Sequence, residues 1–137
     1  DMYGWEQLHD GFKPVYEQDT TSGRMSKEAV IIQQRWFPAA NLDYYVARPL
    51  GITLLTLADL ERTHKYAWIT QYRGGFHLGM DAYYFSSSYE FSDPNGLYAE
   101  YFTSIEPPDT IPVYRNGLLV EYHYVWRMKG MRKIYLR

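Results

Sequence analysis

The sequence predicts an α+β domain in which one or two helices from the N-terminal half cover a four- to six-stranded antiparallel meander. Three observations point there. Aromatic and β-branched segments fill the second half, and strong turn signals divide them at 74-GG-75, 93-DPNG-96, 107-PPD-109, 116-NG-117 and Gly130. The helix-start signal at Ser26 lies in the first half. A half-closed β-barrel is the alternative arrangement of the same elements. At 137 residues, with no internal repeat and no long linker, the chain reads as one domain. Within it, 1–23 forms an irregular arm, 24–66 a helix-containing half and 67–137 the antiparallel meander.

Taken in order, the arm carries scattered apolar residues, with a short helix around Trp5 to Leu8, and ends in 18-QDTTSG-23. Ser26 is the expected N-cap of a helix running through Val30, Ile31 and Ile32 to Phe37, with Pro38 stopping it. The β-branched triplet 30-VII-32 speaks for a strand, but the helix is the expectation. A short strand is expected at 42-LDYYVA-47, another apolar run at 52-ITLLTL-57, and a helical turn or polar connection at 58-ADLERTHKY-66.

One hairpin has a predictable register. A two-residue type I′ loop at Asn116-Gly117 pairs Arg115 with Leu118, Val113 with Val120 and Ile111 with Tyr122. That pairing puts Ile111, Val113, Val120, Tyr122, Tyr124 and Trp126 on a core face, and Tyr114, Leu119, Glu121, His123 and Arg127 on a polar one. A second hairpin turning over Lys129 to Met131 would set Ile134 opposite Trp126 and Leu136 opposite Tyr124.

Composition excludes several functions. No cysteine is present, which removes disulfides, thiolate metal sites and cysteine nucleophiles. A net charge of −2 argues against a protein built to neutralise nucleic-acid phosphates, so no nucleic-acid partner is expected. No apolar run reaches the roughly 18 to 20 residues of a membrane-spanning helix. A start at Asp1 fits either a processed or a trimmed chain. With Arg (9) exceeding Lys (5) and 15 Tyr, it favours an extracytoplasmic location, secreted or periplasmic.

Chemistry-bearing residues are sparse. Four histidines occur, at 9, 64, 77 and 123, none with metal-ligand spacing, so neither a metal nor another cofactor is expected. Glu121 and His123 share a strand face, where a carboxylate could orient an imidazole for acid–base work. His77 and Asp81 share a parity but sit roughly 13 Å apart along an extended strand. His123, Glu121 and His77 are therefore the weak catalytic candidates. The serines of 86-SSS-88 lack a nucleophile-elbow pattern and read as the polar part of a strand.

Charge is blocked more clearly than catalysis is patterned. Residues 90–109 hold Glu90, Asp93, Glu100, Glu106 and Asp109 with no Lys or Arg, whereas 127–137 hold five cations and no acid. The expected binding face is therefore Arg127, Lys129, Arg132, Lys133, Tyr135 and Arg137, with His123 beside them. The expected function is a non-catalytic protein that recognises another protein through this aromatic, charged surface: an inhibitor, an immunity-type partner, an adaptor or an envelope assembly component. A small enzyme or ligand-binding cone with a Tyr/Trp-lined pocket and a His/Glu pair is the alternative. A carbohydrate-binding module is the third.

Overall fold

The structure, a computed structural model, describes residues 2–34, 36–56 and 77–132. It is α+β, with an open, mixed six-stranded sheet. The strands are β1 (Val30–Gln33), β2 (Leu54–Thr56), β3 (Ala82–Ser87), β4 (Phe102–Ile105), β5 (Asp109–Arg115) and β6 (Leu118–Met131). Their order is β2-β1-β3-β6-β4, and β5 lies beside the first half of β6. The antiparallel part, β3 to β6, comes from the second half of the chain as expected. The N-terminal half supplies two further strands, and β2, β1 and β3 run parallel.

This corrects the helix expected from Ser26 onward. Val30, Ile31, Ile32 and Gln33 are all buried, as in a strand covered on both faces, so a continuous apolar run replaces alternation. Ser26 instead caps a turn: its Oγ accepts from the Glu28 N–H. The helix begins where a stop was expected. Helix α2 (Trp36–Leu42) carries Pro38 in its first turn, where a missing N–H is tolerated. It continues as a π-helical turn (Asp43–Ala47) and a last α-helical turn (Arg48–Leu50), so 42-LDYYVA-47 is helical rather than a strand.

The largest departure is the arm, most of which is one long helix, α1 (Met2–Ser22). Gly4, Gly11 and Pro14 lower its intrinsic propensity, and tertiary packing holds it. Leu8, Phe12 and Asp19 recur on one stripe and are fully or almost fully buried. At Gly11 the helix approaches β5 so closely that a Cβ would lie 2.5 Å from Ile111 Cγ2. Leu8 and Phe12 join Ile31, Tyr83, Phe85, Ile111 and Val125 on one face of the sheet. Ile32, Tyr84, Tyr98, Phe102, Trp126 and Met128 pack on the other.

The β5–β6 hairpin turns at Asn116-Gly117 with both φ angles positive, 52° and 76°, and Arg115 pairs with Leu118. The type I′ loop is thus present, but its register does not persist. A bulge follows, after which Val113 pairs with Glu121 and Ile111 with His123. Val120 is the extra residue, and from it onward every β6 side chain changes face. Glu121, His123, Val125 and Arg127 therefore look toward α1, in correction of the expected polar outer face. Tyr122 is exposed, while Tyr124 and Trp126 belong to the opposite core.

The hairpin expected over Lys129 to Met131 is also corrected, because β6 runs straight through it to pair with β4. Gly130, at φ 64°, sits within the strand and donates its N–H to Asp81 Oδ1 at 3.0 Å. Its expected partners Ile134 and Leu136, like 58-ADLERTHKY-66, His64 and Gly74-Gly75, lie outside the described residues. Among the described residues no helix is long and apolar enough to cross a membrane.

Candidate functional site

Two adjacent parallel strands, β1 and β3, end at the same edge of the sheet and send the chain in opposite directions. From β1 it goes through α2 to β2 on one side; from β3 it goes to β4, beyond β6, on the other. Such a divergence leaves a crevice outside the carboxyl ends of the strands, where open α/β sheets bind ligands. A cavity of about 450 Å³ lies there. Its walls come from α1 (Trp5, Leu8), the end of β1 (Gln33, Gln34), the end of β3 and its following loop (Phe85 to Ser87, Glu90 to Ser92) and His123 of β6.

The rim is fixed by hydrogen bonds to backbone. The buried Gln33 amide spans the gap between strands, donating from Nε2 to Phe85 O (3.0 Å) and accepting the Phe85 N–H at Oε1 (2.8 Å). Ser86 Oγ donates to Glu90 O and accepts the Ser92 N–H, while Ser87 Oγ accepts the Glu90 N–H. Tyr84 and Ser92 share a short hydroxyl–hydroxyl contact. The serine run thus begins in strand β3, as expected, and its hydroxyls then shape the cavity loop.

At the cavity wall stands His123, 8% exposed, with the Trp5 ring 5.8 Å from its own and Ser87 directly across the strand pair. Glu121 Oε1 lies 3.6 Å from Nε2, longer than a formed hydrogen bond but within reach of its charge. Burial pushes the imidazole pKa below its ordinary value, and the Glu121 charge opposes that shift only in part. The ring is accordingly neutral near pH 7. With Nε2–H turned toward the carboxylate, Nδ1 keeps a lone pair that can accept a hydrogen bond or a proton.

Four residues further along β6, Arg127 has quite different surroundings. It is 2% exposed, donates from Nε and Nη2 to the two Asp19 oxygens (2.7 and 3.2 Å), and from Nη2 to Asp109 Oδ2 (2.7 Å). Tyr83 OH donates to Asp19 Oδ2 at 2.8 Å. Burial opposes the Arg127 charge, but both carboxylates outweigh it and hold its pKa above the ordinary value. Burial, then the Asp19 carboxylate, raises the Tyr83 pKa.

The remaining sequence candidates are dispersed. Lys129 donates to Asp81 Oδ2 (3.0 Å) and to Arg24 O, and Arg132 donates to the carbonyls of Glu100 and Ala99. Lys133, Tyr135 and Arg137 lie outside the described residues. His77 stands in an exposed turn, 3.7 Å from Glu28, and Asp81 turns away to the Ser26 and Gly130 N–H groups. Of the acid–base candidates, the structure brings Glu121 and His123 together. The acidic and basic blocks meet within the fold, through Arg127–Asp109 and through Arg132 on the Glu100 carbonyl. Sequence reading missed Trp5, Gln33, Gln34, Glu90 and Phe91. The available signal was 33-QQ-34: two polar residues directly after a buried apolar run mark the carboxyl end of a strand.

The chain matches no protein-family model, no curated protein and no solved structure. Its function is therefore argued from the site.

Proposed function

We propose that the protein binds a small molecule in the cavity at the carboxyl ends of β1 and β3, with His123, oriented by Glu121, as the central polar contact. The observation that carries this reading is a neutral, nine-tenths-buried imidazole left with a free acceptor nitrogen on the wall of a cavity at a strand divergence. The same arrangement suits proton abstraction from a bound ligand, since the neutral ring can take a proton and the adjacent carboxylate favours the imidazolium that forms. A fragment screen followed by side-chain NMR tests it: hits should shift the His123 and Trp5 ring resonances, and His123→Leu should abolish those shifts. Hits that bind only elsewhere would remove the reading.

A second reading, recognition of another protein, draws support from the β5–β6 hairpin. Tyr114, Leu118, Leu119, Val120 and Tyr122 are all exposed there, Leu118 to 71%. Sedimentation with and without Leu118→Lys and Val120→Lys tests whether this patch is an interface. An unchanged monomer with no stoichiometric partner in pull-downs would count against it.

A further inference from the structure

The cavity has a chemical sign. We propose that its ligand is an organic cation, a protonated amine carried on a flat apolar body, an inference that rests on the cavity being the binding site. Among the described residues the lining holds one formally charged group, Glu90, and no Lys or Arg. Glu121 adds a second carboxylate behind His123.

Most of the lining's other polar atoms are already occupied. The Gln33 amide is held by Phe85, Ser86 Oγ by Glu90 and Ser92, and Ser92 Oγ by Tyr84. Glu90, an anion, and His123, with Nδ1 as an acceptor, therefore line the cavity together with Trp5 and Phe91. An ammonium group brings donors to both acceptors and a positive charge to the ring faces. Among the described residues, a carboxylate or phosphate would meet Glu90 with the neutral Gln34 amide, Ser87 hydroxyl and Trp5 N–H to receive it. Trp5, Leu8, Leu42 and Phe91 supply apolar wall for the remainder of the ligand.

The test uses three probes that differ in one group: phenethylamine, 2-phenylethanol and phenylacetate, titrated into labelled protein at pH 7.5 while the His123 and Trp5 side-chain resonances are followed. The amine should bind about tenfold more tightly than the acid, with the alcohol between them, as one ion pair plus one cation–π contact implies. Glu90→Gln, an exposed substitution, should weaken the amine about three- to fivefold and leave the alcohol unchanged. Tighter binding of the acid overturns the cation assignment. Equal binding of amine and alcohol, or an amine affinity indifferent to Glu90→Gln, also overturns it while the cavity stands. If none of the three moves either resonance, both the cation and the cavity reading fall.

Discussion

Strand β6 carries two polar centres on one face, four residues apart and both beneath α1, and they are finished to different degrees. At Arg127 the charge is matched by two carboxylates, and Tyr83 completes Asp19. At His123 a single carboxylate stands at 3.6 Å, and the ring lines the cavity. The Arg127 network leaves one buried atom, Nη1, without a partner among the described residues, but Arg127 does not line the cavity. An imidazole held in place yet incompletely partnered has both position and spare valence. Burial alone therefore does not mark a site; the contrast lies in which incompletely partnered group opens on the cavity.

Substitutions can test that contrast, beginning with the largest effect. Asp19→Ala leaves the Arg127 charge buried with Asp109 alone and should cost about 3–5 kcal/mol in urea unfolding. A cost below about 1 kcal/mol would mean that this centre is not the structural one. Next comes Gln33→Leu, which strips the Phe85 N–H and C=O of their partners and should cost about 1–3 kcal/mol while also loosening the cavity rim.

The third test concerns pH. His123 has a lowered folded pKa, so below about pH 6.5 the unfolded chain takes up a proton that the folded ring refuses. Stability should then fall as pH drops from that point toward the lowered value, and His123→Gln should remove this part of the slope. An identical slope in the variant would contradict a buried neutral ring. The smallest effect is expected at the exposed rim: Glu90→Gln should alter stability by less than about 0.5 kcal/mol, so any change in ligand binding reports on the site itself.

What the sequence reveals follows from how local each signal is. The Asn116-Gly117 loop was legible because its positive φ angles need those residue types, and 86-SSS-88 was legible as the polar part of a strand, which ends at Ser87. The long α1 was not, since Gly4, Gly11 and Pro14 argue locally against a helix that Leu8, Phe12 and Asp19 secure by packing. Strand β1 was misread because burial on both faces erases the period of two, leaving only the β-branched run to identify it. The Glu121/His123 pair was visible from spacing. Its side of the sheet was not, because no residue type announces the bulge at Val120, and Tyr122, Tyr124 and Trp126 made the opposite face look like the only core.

That bulge also sets what kind of change the protein can survive. Point substitutions at Val120, an exposed residue, leave the strand's phase untouched. Loss of the residue would close the bulge, leaving Leu119 and Glu121 in succession opposite Tyr114 and Val113, and Glu121, His123 and Arg127 would keep their faces. At this position the pairing tolerates a different letter and the loss of a letter alike. One codon lost from the paired stretch between Glu121 and Arg127 would instead put the residues on one side of the gap on the wrong face of the sheet.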